Sequence, residues 1–177
     1  PLTISEASLI ANPNPAVPLA AIMRVTTDVP TKLTLNISDA EQNWSVTPNQ
    51  LMTLNHEVPV LGLKSERTYN VTALLEDMDG RSIETTAQEF ETPPLPDTFP
   101  TPTINVRDPS RMEPGVTLFN VNGRWEADGS PTLENLPAVI VDDQGEFIWY
   151  YIPDGHRVHD VRRLKEWKHG VHSLTRA

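Results

Sequence analysis

Between residues 20 and 92 apolar and polar residues alternate in short stretches, as in Ala20-Ala21-Ile22-Met23-Arg24-Val25 and Lys32-Leu33-Thr34-Leu35-Asn36-Ile37. A period of two, rich in β-branched residues, predicts strands that bury one face. Breaks are expected at Asp28-Val29-Pro30, Ser38-Asp39-Ala40 and Asp77-Met78-Asp79-Gly80. The last is a hairpin signal, because Asp-Gly accepts the positive backbone dihedral of a tight turn; it joins Tyr69-Asn70-Val71-Thr72-Ala73-Leu74-Leu75 to Ile83-Glu84-Thr85-Thr86-Ala87-Gln88-Glu89-Phe90. Further on, Gly115-Val116-Thr117-Leu118-Phe119-Asn120-Val121 and Ala138-Val139-Ile140-Val141 read as strands. The second runs through Asp142-Asp143-Gln144-Gly145 into Glu146-Phe147-Ile148-Trp149-Tyr150-Tyr151, a second hairpin.

Proline divides the two patterned regions. Residues 92–102 hold five prolines in eleven positions, Pro93, Pro94, Pro96, Pro100 and Pro102. Such a run has few backbone donors and a fixed φ, so it is expected to extend as a semi-rigid spacer. The predicted organisation is a β-sandwich over 1–92, a proline-rich linker over 93–102, and a β segment with a basic, histidine-rich tail over 103–177. The 17 prolines in 177 residues are well above the usual share of about 5%, and helix-favouring runs are nearly missing, which strengthens the all-β reading. A chain of this length buries a substantial core without metal or disulfide, and it has no cysteine for a disulfide or a cysteine-ligated metal.

Charge adds an asymmetry. The formal net charge is −10, which disfavours nucleic acid and anionic membrane as partners. Residues 156–177 nevertheless carry Arg157, Arg162, Arg163, Lys165, Lys168 and Arg176 against Asp160 and Glu166, so a basic end faces an acidic body. No apolar run approaches the roughly eighteen residues of a membrane span. Proline is an unlikely first residue, and the chain reads as mature or trimmed.

Two resemblances attach to particular residues. His56-Glu57-Val58-Pro59-Val60-Leu61-Gly62-Leu63, followed by Lys64-Ser65-Glu66-Arg67-Thr68-Tyr69, resembles a fibronectin type III domain of immunoglobulin-like architecture, with Leu63 and Tyr69 in its leucine and tyrosine-corner positions. The resemblance implies that the Tyr69 hydroxyl bonds the backbone where one sheet passes to the other. An early tryptophan that many such domains bury is missing, and Trp44 lies far along the chain for that role.

The hairpin at 138–151, the upstream Gly115-Val116-Thr117-Leu118-Phe119 and the downstream Val158-His159-Asp160-Val161-Arg162-Arg163-Leu164-Lys165 together resemble the entry into the β-propeller of bacterial arylsulfotransferases. In that family a small β-sandwich precedes the propeller. The resemblance implies a periplasmic or secreted protein that transfers a sulfuryl group from an aryl sulfate to a phenolic acceptor through a sulfohistidine, with no cofactor and no metal. It implies supporting roles for His159, oriented by Asp160, and for Arg162 or Arg163 nearby, and leaves the nucleophile to blades of roughly 40–50 residues each that this chain lacks. After Lys165 the chain departs from the family pattern, with Glu166-Trp167-Lys168-His169-Gly170-Val171-His172-Ser173. The fragment itself is therefore expected to be an inactive scaffold or assembly unit. The contrasting reading, a non-enzymatic adhesion or interaction module, stays open because this fold hosts many functions.

Other candidate chemistry reads more simply. The pairs His156/His159 and His169/His172 have spacings that can ligate a metal, yet Gly170 interrupts the second and no carboxylate completes the set; a solvated tail is expected. Asp77 and Asp79 alone lack the six to eight oxygens calcium takes. Asn36-Ile37-Ser38, Asn43-Trp44-Ser45 and Asn70-Val71-Thr72 are glycosylation sequons that strands rich in Asn and Thr generate by chance. Phe147, Trp149, Tyr150 and Tyr151 would stack on an aryl or sugar ligand if exposed, but such residues are more often blade core. A blade face left without its neighbour would favour self-association into a homodimer.

Overall fold

The computed structural model describes residues 1–48, 51–97, 99, 102–108, 110–112, 115–121, 137–154, 158 and 161. Every regular element among them is a strand. Seven strands form one hydrogen-bonded sheet: β1 (Ile4–Ala11), β2 (Ala21–Ser38), β3 (Asn43–Val46), β4 (Thr53–Val60), β5 (Thr68–Asp77), β6 (Ser82–Glu84) and β7 (Gln88–Glu91). A second sheet holds β8 (Thr117–Asn120), β9 (Ala138–Val141) and β10 (Phe147–Tyr151) in the order β10-β9-β8.

The break expected at Asp28-Val29-Pro30 is not an end but a change of partner. Up to Thr27 β2 pairs with β1 and β4; from Thr31, which still faces Thr53 of β4, it pairs with β5, and from Leu35 with β3 as well. Proline has no N–H to give a ladder, and Pro30 sits in the gap between the two pairings. Thr27 steadies the crossing by donating its hydroxyl to the Val29 carbonyl at 2.8 Å. The sheet thus folds over on β2 into two layers, one of β1, β4 and the first half of β2, the other of β3, β5, β6, β7 and the second half. Their inner faces meet in a single core that contains Met23, Val25, Leu35, Ile37, Val60, Leu63, Tyr69, Val71 and Leu75. Trp44 on β3 also packs against this core and meets Tyr69 edge to face, with ring centroids 6.0 Å apart. Aromatic packing between the layers is therefore built from Trp44 and Tyr69, without an early tryptophan.

Both expected hairpins form. Gly80 takes φ +76° and the Asp77 N–H bonds the Arg81 carbonyl at 3.0 Å. The returning strand is not continuous through residue 90, however. Between β6 and β7 the register against β5 shifts by one residue, from Leu74↔Glu84 to Val71↔Gln88. Thr85 causes the irregularity, since its buried hydroxyl accepts the Ala73 N–H at 2.9 Å. In the second hairpin Gly145 takes φ +78°, the Asp142 N–H bonds the Glu146 carbonyl at 3.0 Å, and Asp142 Oδ1 accepts the N–H groups of Gln144 and Glu146, each at 2.9 Å. A Cβ on Gly145 would also come within 2.8 Å of the Ile104 side chain. Left-handed backbone costs a non-glycine residue about 1–2 kcal/mol, so Gly145→Ala is expected to lower stability by roughly that amount, measured by urea unfolding.

The second sheet does not make its core alone. Val139, Phe147 and Tyr150 are buried with Leu19 from the β1–β2 connection, and Leu95, Phe99, Val121, Val141 and Ile152 pack around them. Phe99 lies edge-on to Phe147 at 5.0 Å and tilted against Tyr150 at 4.8 Å. Leu95 and Phe99, two residues of the proline-rich stretch expected to extend as a spacer, pack against this sheet. Proline fixes the local backbone, and the two apolar side chains between the prolines anchor it.

Candidate functional site

The densest set of polar side chains lies where the tyrosine corner meets the second hairpin. Gly62, at φ +86°, and Glu66, at φ +55°, turn the chain between β4 and β5. Within that turn the fully buried Tyr69 accepts the Lys64 N–H on its hydroxyl at 2.8 Å. Thr92, 2% exposed, closes the corner from the far end of β7: its hydroxyl donates to the Lys64 carbonyl at 2.6 Å and accepts the Arg67 N–H at 3.1 Å. The backbone of Lys64 is thereby held at both its N–H and its carbonyl.

A backbone so fixed aims the side chains of Lys64 and Arg67. Lys64 Nζ lies 3.0 Å from Asp142 Oδ2 and donates to Glu146, the two carboxylates of the second hairpin. Arg67 bridges Asp39 at 3.1 Å and Glu41 at 2.6 Å, and its other nitrogen lies 3.7 Å from Glu146. Asp142 serves twice, one oxygen shaping the hairpin turn and the other meeting Lys64. Burial alone would lower the Lys64 pKa, but the carboxylates of Glu146 and Asp142 outweigh it and raise the pKa above its ordinary value. The guanidinium of Arg67 is likewise held more firmly protonated by Glu41, against a smaller opposing effect of burial, and by Asp39. These cations are neutralised by fixed carboxylates, so the cluster has neither a free base nor an open anion site. Partly buried pairs of this kind gain little over an apolar replacement of both partners, yet removing one partner alone is costly because it leaves the other charge uncompensated.

The residues expected to carry chemistry fall elsewhere. His159 and Arg162 lie outside the described residues, as do Asp160, Arg163, His156, His169 and His172. Of the aromatic run, Phe147 and Tyr150 are buried and Trp149 and Tyr151 half-buried, which suits packing more than ligand stacking. Burial pushes the Tyr150 phenol pKa up. Asp77 is occupied at its own turn, where it accepts the N–H groups of Asp79 and Arg81 and pairs with the Arg81 guanidinium at 2.7 Å. No group of three or more metal-ligating side chains occurs among the described residues.

The three sequons share one location. Antiparallel register sets Asn36 opposite both Ser45 and Thr72, and Ser38 opposite both Asn43 and Asn70. These side chains line a shallow cleft of about 380 Å³ with Ile37, Trp44 and Ala87. Ser45 donates to Asn36, and Asn36 and Thr72 share one oxygen of Glu84. The sequon spacing of two is the strand period itself, which puts each Asn and its Ser or Thr on one face.

Among the described residues no helix is long and apolar enough to cross a membrane. No curated protein matches the chain. Residues 8–93 match the family described as the arylsulfotransferase Ig-like domain, a span that takes in the two layers, the tyrosine corner and Thr92. Residues 8–93 thus form an N-terminal Ig-like domain of the arylsulfotransferase type.

Proposed function

We propose that this chain is the N-terminal part of an arylsulfotransferase-like protein, acting in the periplasm or outside the cell, in which residues 1–92 form a scaffold, 93–102 a connection and 103–177 the first strands of a catalytic propeller. The observation that carries the reading is the match of residues 8–93 to the arylsulfotransferase Ig-like domain. Its support is the packing of that domain onto a following sheet through Leu19, Lys64 and Arg67.

In the proposed reaction an imidazole nitrogen of the catalytic unit attacks the sulfur of an aryl sulfate. The bond from sulfur to the aryl oxygen breaks and the phenolate leaves, giving a sulfohistidine. A phenolic acceptor then attacks the same sulfur, loses its proton and frees the histidine. Donors fixed around the sulfuryl oxygens would stabilise the charge that develops there, and His159 and Arg162 are the residues of this chain assigned to that supporting role. The Ig-like domain offers no nucleophile at its polar cluster, where Lys64 is held protonated between two carboxylates. Incubated with 4-nitrophenyl sulfate and phenol, the 177-residue chain is expected to release no nitrophenol above the buffer rate, whereas the product of the whole gene releases it. Turnover by the chain alone would sink the scaffold role. A whole-gene product without turnover would sink the sulfuryl-transfer reading.

A further inference from the structure

β10 is only five residues long, and the Ig-like domain grips it at both ends. Before the strand, Glu146 takes the Lys64 ammonium and faces Arg67 at 3.7 Å. After it, the Ile152 N–H donates to the Ala16 carbonyl at 3.1 Å. Ala16 lies in the β1–β2 connection, which is itself stiffened by Asn12 accepting the Asn14 N–H at 2.9 Å and Asn14 accepting the Ala16 N–H at 3.0 Å. The same connection inserts Leu19, with no exposed surface, between Val139, Phe147 and Tyr150. Two separate loops of one domain thus converge on one short strand, one by charge and one by an apolar plug.

The second sheet depends on this grip. Two- and three-stranded sheets are marginal without something packed on their apolar face, and here the face is covered by Leu19, Leu95 and Phe99. The Ig-like core, by contrast, is built wholly from residues of β1–β7 and the turn at Leu63. The dependence therefore runs one way.

We infer that the Ig-like domain is an intramolecular template for the second sheet: its β1–β2 connection and tyrosine corner clamp the β9–β10 hairpin and hold it folded, while the domain's own core stands without the hairpin. This deepens the scaffold role proposed above and rests on that reading for its purpose, though its geometry is independent of any sulfuryl chemistry.

Hydrogen exchange on the full chain tests it. In Leu19→Ala and in Lys64→Met, the latter keeping the aliphatic stem while removing the ammonium, the amides of 139–141 and 147–150 are expected to exchange at least tenfold faster. Those of 33–37 and 71–75 should stay within twofold of the parent. If Leu19→Ala fails to fold, Lys64→Met decides. Parent-like exchange of the hairpin in the folded variants would overturn the proposal, and so would equal acceleration of both sheets, which would make them one cooperative unit. Either failure leaves the nitrophenyl sulfate assay untouched, so the template and the sulfuryl-transfer reading fall separately.

Discussion

Tyr69→Phe is expected to destabilise the protein by about 1–3 kcal/mol, the cost of leaving a buried donor without its acceptor. Phenylalanine keeps the ring against Trp44 and in the core. What it loses is the hydroxyl that accepts the Lys64 N–H at 2.8 Å in the buried interior. Tyr69→Ala, which removes the ring as well, should cost about 3–5 kcal/mol, the range for deleting a buried aromatic. Urea unfolding at constant m-value measures both. The difference between them separates packing from the corner hydrogen bond, and a Tyr69→Phe loss below about 0.5 kcal/mol, within the range of ordinary surface changes, would mean the bond does not hold the corner. Because the corner aims Lys64 at Asp142 and Glu146, near-ultraviolet circular dichroism from Phe147 and Tyr150 should change in Tyr69→Phe too.

The corner was legible because its signal is local. Leu63 and Tyr69 are six residues apart and both are fully buried where the resemblance puts them. The Asp-x-x-Gly turns were legible for the same reason, since backbone dihedrals are chosen within four residues. β2 was half legible. A proline suggested two strands, whereas the apolar phase runs unbroken through Ala21, Met23, Val25, Leu33, Leu35 and Ile37, all odd positions. A strand that keeps its phase across a proline can stay continuous while its partners change.

The clamp was not legible. Lys64 and Glu146 lie 82 residues apart, and neither stands out from an ordinary surface charge in sequence. Leu19 sits in a stretch with Pro13, Pro15 and Pro18 and no periodicity. Yet Val17, Leu19 and Ala20 form an apolar group inside that loop, and all three are buried. Apolar residues in a loop between polar turns were the available sign that the loop covers something. The same reasoning applies to Leu95 and Phe99, where proline drew attention to stiffness and away from what the side chains could pack against.

Leu35→Ala should cost about 2–5 kcal/mol, the range for emptying a buried leucine site, because of where β2 runs. Leu35 is fully buried at the centre of the second half of that strand, paired with Val46 on one side and Ala73 on the other. Alanine at 73 is already small, so the neighbours cannot easily close the space that Leu35→Ala opens. Collapse would have to come from the opposite layer, where Met23 and Val60 are fixed by pairings of β2 and β4. Since β2 belongs to both layers, yielding at one site disturbs both ladders, which argues for the upper part of the range. Leu54→Ala supplies the control: this leucine is 41% exposed on β4, and its loss should stay near 0.5 kcal/mol, as for surface substitutions. Equal losses at Leu35 and Leu54 would show that the core does not lie between the two layers of the folded-over sheet.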